Sequence, residues 1–256
     1  MPPEAGFRLD VAETVATITL SRPERLNAQT PQTWTWLSRT GAELPGNIRV
    51  VVVRGEGRAF SAGLDRAMFA PDAGVGLFAL AAAAADEAGD TIAGYQAAFG
   101  WLARPDVVSV AAVHGHAIGA GFQLALACDI RIVADDAQFA MAEPSLGLVP
   151  DLGGTKRLVE LVGYSRAAEI CLTGRRVPAD EALRIGLAST IAPAGDLARV
   201  VDATVAALLA VPRDAAIETK ALLLAASGRS QAEQELAERE AQHRRLRELA
   251  QLFDER

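Results

Sequence analysis

Cysteine, histidine and aromatic side chains are all scarce in this chain, and each scarcity removes a class of protein. The two cysteines, Cys128 and Cys171, lie far apart and outside any Cys-x-x-Cys spacing. That rules out a disulfide framework or a cysteine-ligated zinc site and fits a reducing compartment. Of the three histidines, His114 and His116 flank Gly115 and His243 stands alone in a charged segment, so no third ligand is near and no metal is expected. Aromatics make up 5% of the residues while half are hydrophobic, so the interior must be filled mainly by Ala, Val and Leu. No apolar run approaches the ~18 residues that a membrane-crossing helix needs. Met1-Pro-Pro-Glu has neither a basic nor an apolar leader character, which leads us to expect a cytoplasmic protein. A formal charge of −7 argues against non-specific binding to nucleic acid or an anionic membrane. It leaves a phosphorylated ligand open, because local basic residues decide that.

What is present is an α/β pattern. Phe7 to Leu20 alternates as a hairpin around Ala12 and Glu13. Thr30 can cap a helix running to Glu43, with Pro31 at its first position. Ile48 to Val53 and Val107 to Val113 read as buried strands, and Phe122 to Ala127 as the start of an apolar helix. Residues 66–103 are Ala-rich and predicted helical, with a loop from Pro71 to Gly76. Tyr164 to Leu172 is a further short helix. Repeated strand, strand, helix turns predict a superhelical α/β core over residues 1–195 with parallel pairing. Beyond it, residues 196–256 read as helices only: Leu197 to Leu209, Ala215 to Ala226 and Gln231 to Phe253. The last is highly charged yet carries Leu236, Leu246, Leu249 and Phe253 on one face, which needs a partner.

The most informative segment is Ala111 to Gln123. Its glycines, Gly115, Gly119 and Gly121, follow a strand and precede a helix, so backbone N–H groups are left free at a helix N-terminus. Such a turn binds anions. When the anion is a carbonyl oxygen that becomes negative during reaction, the turn is half of an oxyanion hole. A second turn of this design, Gly55 to Gly63, follows the strand at Ile48 to Val53, so two N–H groups can aim at one point. A mostly apolar third segment, Asp136 to Gly154, carries Glu143 and Asp151.

Six motifs, in order, resemble the enoyl-CoA hydratase/isomerase (crotonase) family. They are Arg22 to Ala28, Ala59 to Asp65, Gly115 to Gln123, Ala127 to Ile130, Ala137 to Phe139 and Leu146 to Leu158. The resemblance covers about residues 7 to 195. It implies a crotonase-like superhelix of β-β-α turns with a C-terminal helical region that builds trimers or hexamers. It also implies an acyl-CoA thioester substrate and no separate cofactor, coenzyme A entering with the substrate. By position, the oxyanion donors are the N–H groups of Leu64 and Ala120, the latter tolerable in a glycine's usual place only with negative φ. Glu143 falls on the family's acid-base glutamate, where apolar neighbours would raise its pKa. Arg25, Ala28, Ala62, Leu64, Asp65 and Gly119 fall on the segments that hold the thioester and its coenzyme A, and Arg22 offers further positive charge.

Gln123 departs from the family pattern. Hydratases of the family hold water between two glutamates, and Gln123 replaces the first of them; an amide orients water but carries no proton at neutral pH. One-base chemistry through Glu143, either double-bond isomerisation or one-base hydration, is therefore favoured. Asp151 is either a second proton carrier or a turn former before Gly153 and Gly154. Three other classes compete. A dehydrogenase matches Gly115, Gly119 and Gly121 but lacks its Tyr-x-x-x-Lys pair, since Ala168 follows Tyr164. A serine hydrolase would use Ser61 between Phe60 and Ala62. A non-enzymatic acyl-CoA binder with a degraded site is the third.

Overall fold

The structure, a computed structural model, describes residues 6–70 and 76–254, with side chains described as far as 251. In chain order its elements are β1 (Phe7–Ala12), β2 (Val15–Leu20), α1 (Pro31–Glu43), β3 (Val50–Gly55), α2 (Leu77–Ala82), α3 (Ala85–Gly100), β4 (Val108–Val113), β5 (His116–Ile118) and α4 (Ala120–Ala127). There follow β6 (Ile130–Ala134), β7 (Gln138–Ala140), α5 (Gly154–Val162), α6 (Tyr164–Thr173), β8 (Val177–Pro178), α7 (Ala179–Arg184), β9 (Thr190–Ala192), α8 (Leu197–Ala210), α9 (Arg213–Ala225) and α10 (Gln231–Asp254). The interruption expected at Pro71 to Gly76 falls almost wholly outside the described residues, as does the side chain of Phe253.

Among the described residues six strands form one sheet in the order β1-β2-β3-β4-β6-β9 and three form a second, β5-β7-β8. The first pair is the expected antiparallel hairpin, turning at Glu13 with φ 52°, and the rest of the large sheet is parallel. A parallel strand is covered on both faces, which is why Val50 to Val53 is apolar throughout. Alternation still sorts its side chains. Val51 and Val53 join Ala111, Val113 and Val133 in the main core, while Val50 and Val52 join Val110, Ala112, Ile132 and Ala134 beneath Leu197 and Val201 of α8. Helix α8, just past the boundary read at residue 195, thus seals the outer face of the sheet. Its apolar side belongs to the core rather than to a separate appendage.

Local chemistry accounts for the element that flanks the site. Thr30 accepts from the Thr33 N–H while Thr33 Oγ1 accepts from the Thr30 N–H, a reciprocal cap worth about 1 kcal/mol. Trp34, Trp36 and Leu37 of α1 are buried, and Trp34 packs on Tyr95 of α3 with ring centroids 4.8 Å apart. Among the described residues no helix is long and apolar enough to cross a membrane.

Candidate active site

Each ββα turn of the chain delivers a backbone segment to one spot. After β3, Ser61 bridges Ala117 of β5 and Leu64 bridges Gln29, both in parallel. In the second bridge Gln29 donates to the Gly63 carbonyl and accepts from the Asp65 N–H. The N–H of Leu64 therefore points to the opposite side, where no described residue takes it. Gly63 has φ +87°, and a Cβ there would lie 2.5 Å from the Ile118 oxygen and 3.4 Å from the Ala120 nitrogen. Only glycine lets the two turns come so close. Gly119 has φ +51° and precedes the first residue of α4, Ala120, whose N–H is one of the groups that a helix start leaves unpaired. Among described non-glycine residues, positive φ occurs at Glu13, Leu26 and Asn27, so Ala120 has the negative φ its side chain requires. The Leu64 and Ala120 turns line one cavity of about 860 Å³.

Ser61 is fully buried and saturated. Its hydroxyl donates to the Asn27 carbonyl (2.8 Å) and accepts from Gln29 Nε2 (3.0 Å) and the Gly63 N–H (3.2 Å). Gln29 Oε1 in turn accepts from Trp34 Nε1 at 2.8 Å. Ser61 is thus a brace for the Gly63-Leu64 turn. No histidine ring bonds that hydroxyl, His114 meeting the Gly57 carbonyl and His116 Nδ1 facing Arg176, and the serine hydrolase alternative is excluded.

The carboxyl of Glu143 lies against the other turn: a Cβ on Gly119 would sit 3.2 Å from Glu143 Oε1. That oxygen accepts from Gln123 Nε2 at 2.7 Å, and Oε2 is buried with no hydrogen-bond partner among the described residues. Burial pushes the Glu143 carboxyl above the usual carboxylate range, and the negative charge of Asp151 pushes it further, against the lowering effect of hydrogen bonds that include the one from Gln123. Asp151 is likewise raised by burial and lines the same cavity, so the structure brings both acids to one pocket. Gln123 does not line it. The residue is 1% exposed, and its amide is spent on protein groups.

The Ala-rich segment supplies much of the apolar lining. Met68, Leu77, Leu80, Ala88, Ile92 and Tyr95 line the same cavity, together with Trp34. Of the residues expected to hold coenzyme A, Ala62, Leu64 and Gly119 line it too. Asp65 does other work: it is 6% exposed, pairs with Arg22 Nη2 at 2.8 Å and caps the turn Arg66–Phe69 through the Ala67 N–H. Arg22 also donates to the Ala28 carbonyl at 3.0 Å, so both are parts of the brace around the turn. Arg25 is exposed and has no ion-pair partner among the described residues.

This geometry matches known proteins along nearly the whole chain. The family model for enoyl-CoA hydratase/isomerase matches residues 10–251. The chain belongs to the enoyl-CoA hydratase/isomerase family. It is 36% identical over 187 residues to a probable enoyl-CoA hydratase of Mycobacterium tuberculosis, covering 72% of this chain and 68% of that one. It is 34% identical over 186 residues to the human mitochondrial Delta(3,5)-Delta(2,4)-dienoyl-CoA isomerase, covering 69% of this chain and 55% of that one. Among solved structures, a Thermobifida fusca protein in complex with acetoacetyl-CoA superimposes with a TM-score of 0.92 at 53% identity, over 95% of this chain and 96% of that one. The crotonase-like fold expected from the motifs is the fold observed, and the dehydrogenase alternative falls with it.

Two parts of the site were not read from the residue pattern. Tyr95 lines the cavity from an Ala-rich helix that also carries Phe99, and an aromatic side chain among small ones was the signal that could have found it. The Trp34, Gln29, Ser61 chain of hydrogen bonds joins a helix and two loops, and no local pattern announces it.

Proposed function

We propose that the protein isomerises the double bond of an enoyl-CoA thioester through an enolate, with Glu143 as the principal proton carrier and Asp151 as the second. The thioester oxygen accepts from the N–H groups of Leu64 and Ala120. Glu143, as carboxylate, takes a proton from C2 of a 3-enoyl thioester, and the charge moves onto the oxygen held by the two N–H groups. The proton returns at C4 from Glu143 or from Asp151, leaving the double bond between C2 and C3. One observation carries this reading over ordinary hydration: the Gln123 amide bonds Glu143 directly at 2.7 Å, which leaves no place for a water shared between positions 123 and 143. The complex of the Thermobifida fusca relative with acetoacetyl-CoA supports a coenzyme A thioester as substrate. Incubation with trans-2-, cis-3- and trans-3-enoyl-CoA and identification of products tests it. Interconversion of 3- and 2-enoyl thioesters is expected; efficient hydration without isomerisation would overturn the assignment, and binding without turnover would favour an acyl-CoA binder.

The same reading extends to assembly as a homotrimer or hexamer. Leu223 of α9 and Leu236, Leu246 and Leu249 of α10 are half or more exposed, and among the helices and strands α10 packs chiefly on α9. Removing residues 231–256 is expected to give monomers or aggregates, whereas a native mass of one chain by light scattering would contradict it.

A further inference from the structure

Gln123 stands where its neighbours in the pocket are acids, yet its geometry is that of a strut. Two backbone donors, the N–H groups of Leu152 (2.9 Å) and Gly154 (3.2 Å), point at its Oε1. They fix which end of the amide is oxygen, so the NH2 end must face Glu143, where it donates to Oε1 at 2.7 Å. Leu152 follows Asp151 directly, and Gly154 opens α5. A side chain on Gly154 would collide, its Cβ 2.8 Å from Gln123 Cγ, so the loop is fitted to the glutamine. The Asp151 carbonyl is tied from the other side by Gln96 Nε2 at 2.8 Å. Helices α4 and α5 and the Glu143 turn thus meet through one amide, and α3 holds the same loop through Gln96.

We infer that Gln123 is a positioning residue that locks Glu143 Oε1 to the backbone of the Asp151 loop and leaves Oε2, the oxygen without a partner, to exchange protons with substrate. The inference rests on the reading of Glu143 as proton carrier. The strut works in two ways. It selects the rotamer of Glu143 between Gly119 and the amide, and it favours the ionised form by donating to it. The groups that bear on Glu143 from its surroundings are Asp151 in the loop after it, whose charge raises its proton affinity, and the Cys171 thiol on α6, which Glu143 itself influences. Among the described residues no lysine or arginine pairs with Glu143, so the amide supplies a donor that no cation provides.

The test is Gln123→Met, which keeps length and apolar packing but removes both donor and acceptor. Two readouts are needed: titration of Glu143 by carbon NMR in protein carrying labelled glutamate, and the pH dependence of kcat and KM on the substrate found in the screen above. Loss of the donor should move the Glu143 midpoint, and with it the acid limb of kcat, up by about one pH unit. It should lower kcat about ten-fold with KM within roughly two-fold, since a misplaced base is a transition-state loss. Gly154→Ala, which presses on the glutamine without removing its amide, should shift the midpoint the same way by less, and it decides the matter should the methionine variant fail to fold. A Glu143 midpoint unchanged in the folded variant overturns the inference. A wild-type protein that turns over no enoyl thioester overturns the proposed function instead, while the NMR titration still judges the strut.

Discussion

Two polar clusters, one built on Gln123 within α4 and one on Asp129 just past its end, differ in one respect. In the first, Lys220 of α9 is 7% exposed and donates to the Val107 carbonyl at 2.6 Å and to Asp129 Oδ2 at 2.7 Å. The Ser109 N–H donates to that same carboxylate oxygen at 2.8 Å. Burial lowers the Lys220 pKa and Asp129 opposes that, so the charges offset each other. In the second, Gln123, Glu143 and Asp151 gather two acids, and among the described residues no cation pairs with Glu143 and its Oε2 has no partner. A saturated cluster is a structural tie, here fastening α9 to β4 and β6. A cluster left short of one partner holds a cost that the rest of the fold covers, and such a shortfall marks a place for chemistry.

The contrast can be broken most forcefully at the tie. Lys220→Met leaves the half-buried Asp129 without its cation and should cost about 1.5–3 kcal/mol of stability, read from denaturant unfolding. The protein that remains folded should keep its activity, and a loss of activity without loss of stability would erase the distinction. At the site the effects should be reversed. Glu143→Gln preserves size and the bond from Gln123, and kcat should fall about 100-fold, some 2.7 kcal/mol of barrier, with thioester affinity little changed. Near-full activity would transfer the proton carrier's role to Asp151.

Smaller effects sharpen the comparison further. Asp151→Asn should lower kcat about ten-fold if Asp151 carries the returning proton, and leave it unchanged if it only forms the turn before Gly153. Gln123→Glu brings a carboxylate within 2.7 Å of Glu143 Oε1, so the pair would share one proton at neutral pH. Isomerisation should fall or hold level, and hydration of a 2-enoyl thioester should stay at the wild-type level because the direct contact still leaves no place for a shared water; hydration above wild type would show that the acid count at this position chooses the reaction.

The least of the expected effects is on stability against pH. The folded pKa of Glu143 lies above its unfolded value, so the folded state binds the extra proton and stability falls as pH rises from about 4.5 through the folded pKa. Glu143→Gln should therefore raise Tm at pH 7, and the advantage should vanish below pH 4.5. A variant less stable than wild type at both pH values would mean that the carboxylate is not strained at all.

Much of the fold was legible because period and punctuation were clear. The Thr30 cap with Pro31, the all-apolar run at Val50 to Val53 and the glycines at 63 and 119 each have one physical reading, and the chain adopts it. That the two glycine turns come together at one cavity was equally legible, since a glycine turn depends on spacing and not on side-chain identity, whereas the choice of Leu64 and Ala120 as donors came from the family resemblance. Glu143 and Asp151 could be paired in advance only through family register. Less could be read of the helices after residue 195, because an amphipathic helix shows that it has a partner without showing which: α8 covers the sheet, while α10 rests on α9.

What the sequence by itself determined is the set of turns and the list of acids, because these follow from short-range sterics and from composition. Tertiary structure decided what each polar group does. Asp65 and Arg22 pair with each other, Ser61 braces a turn and Gln123 turns its amide from the cavity toward Glu143. The reason is that hydrogen-bond partners at sequence separations of 20 to 43 residues are chosen by packing, and packing is a property of the whole chain.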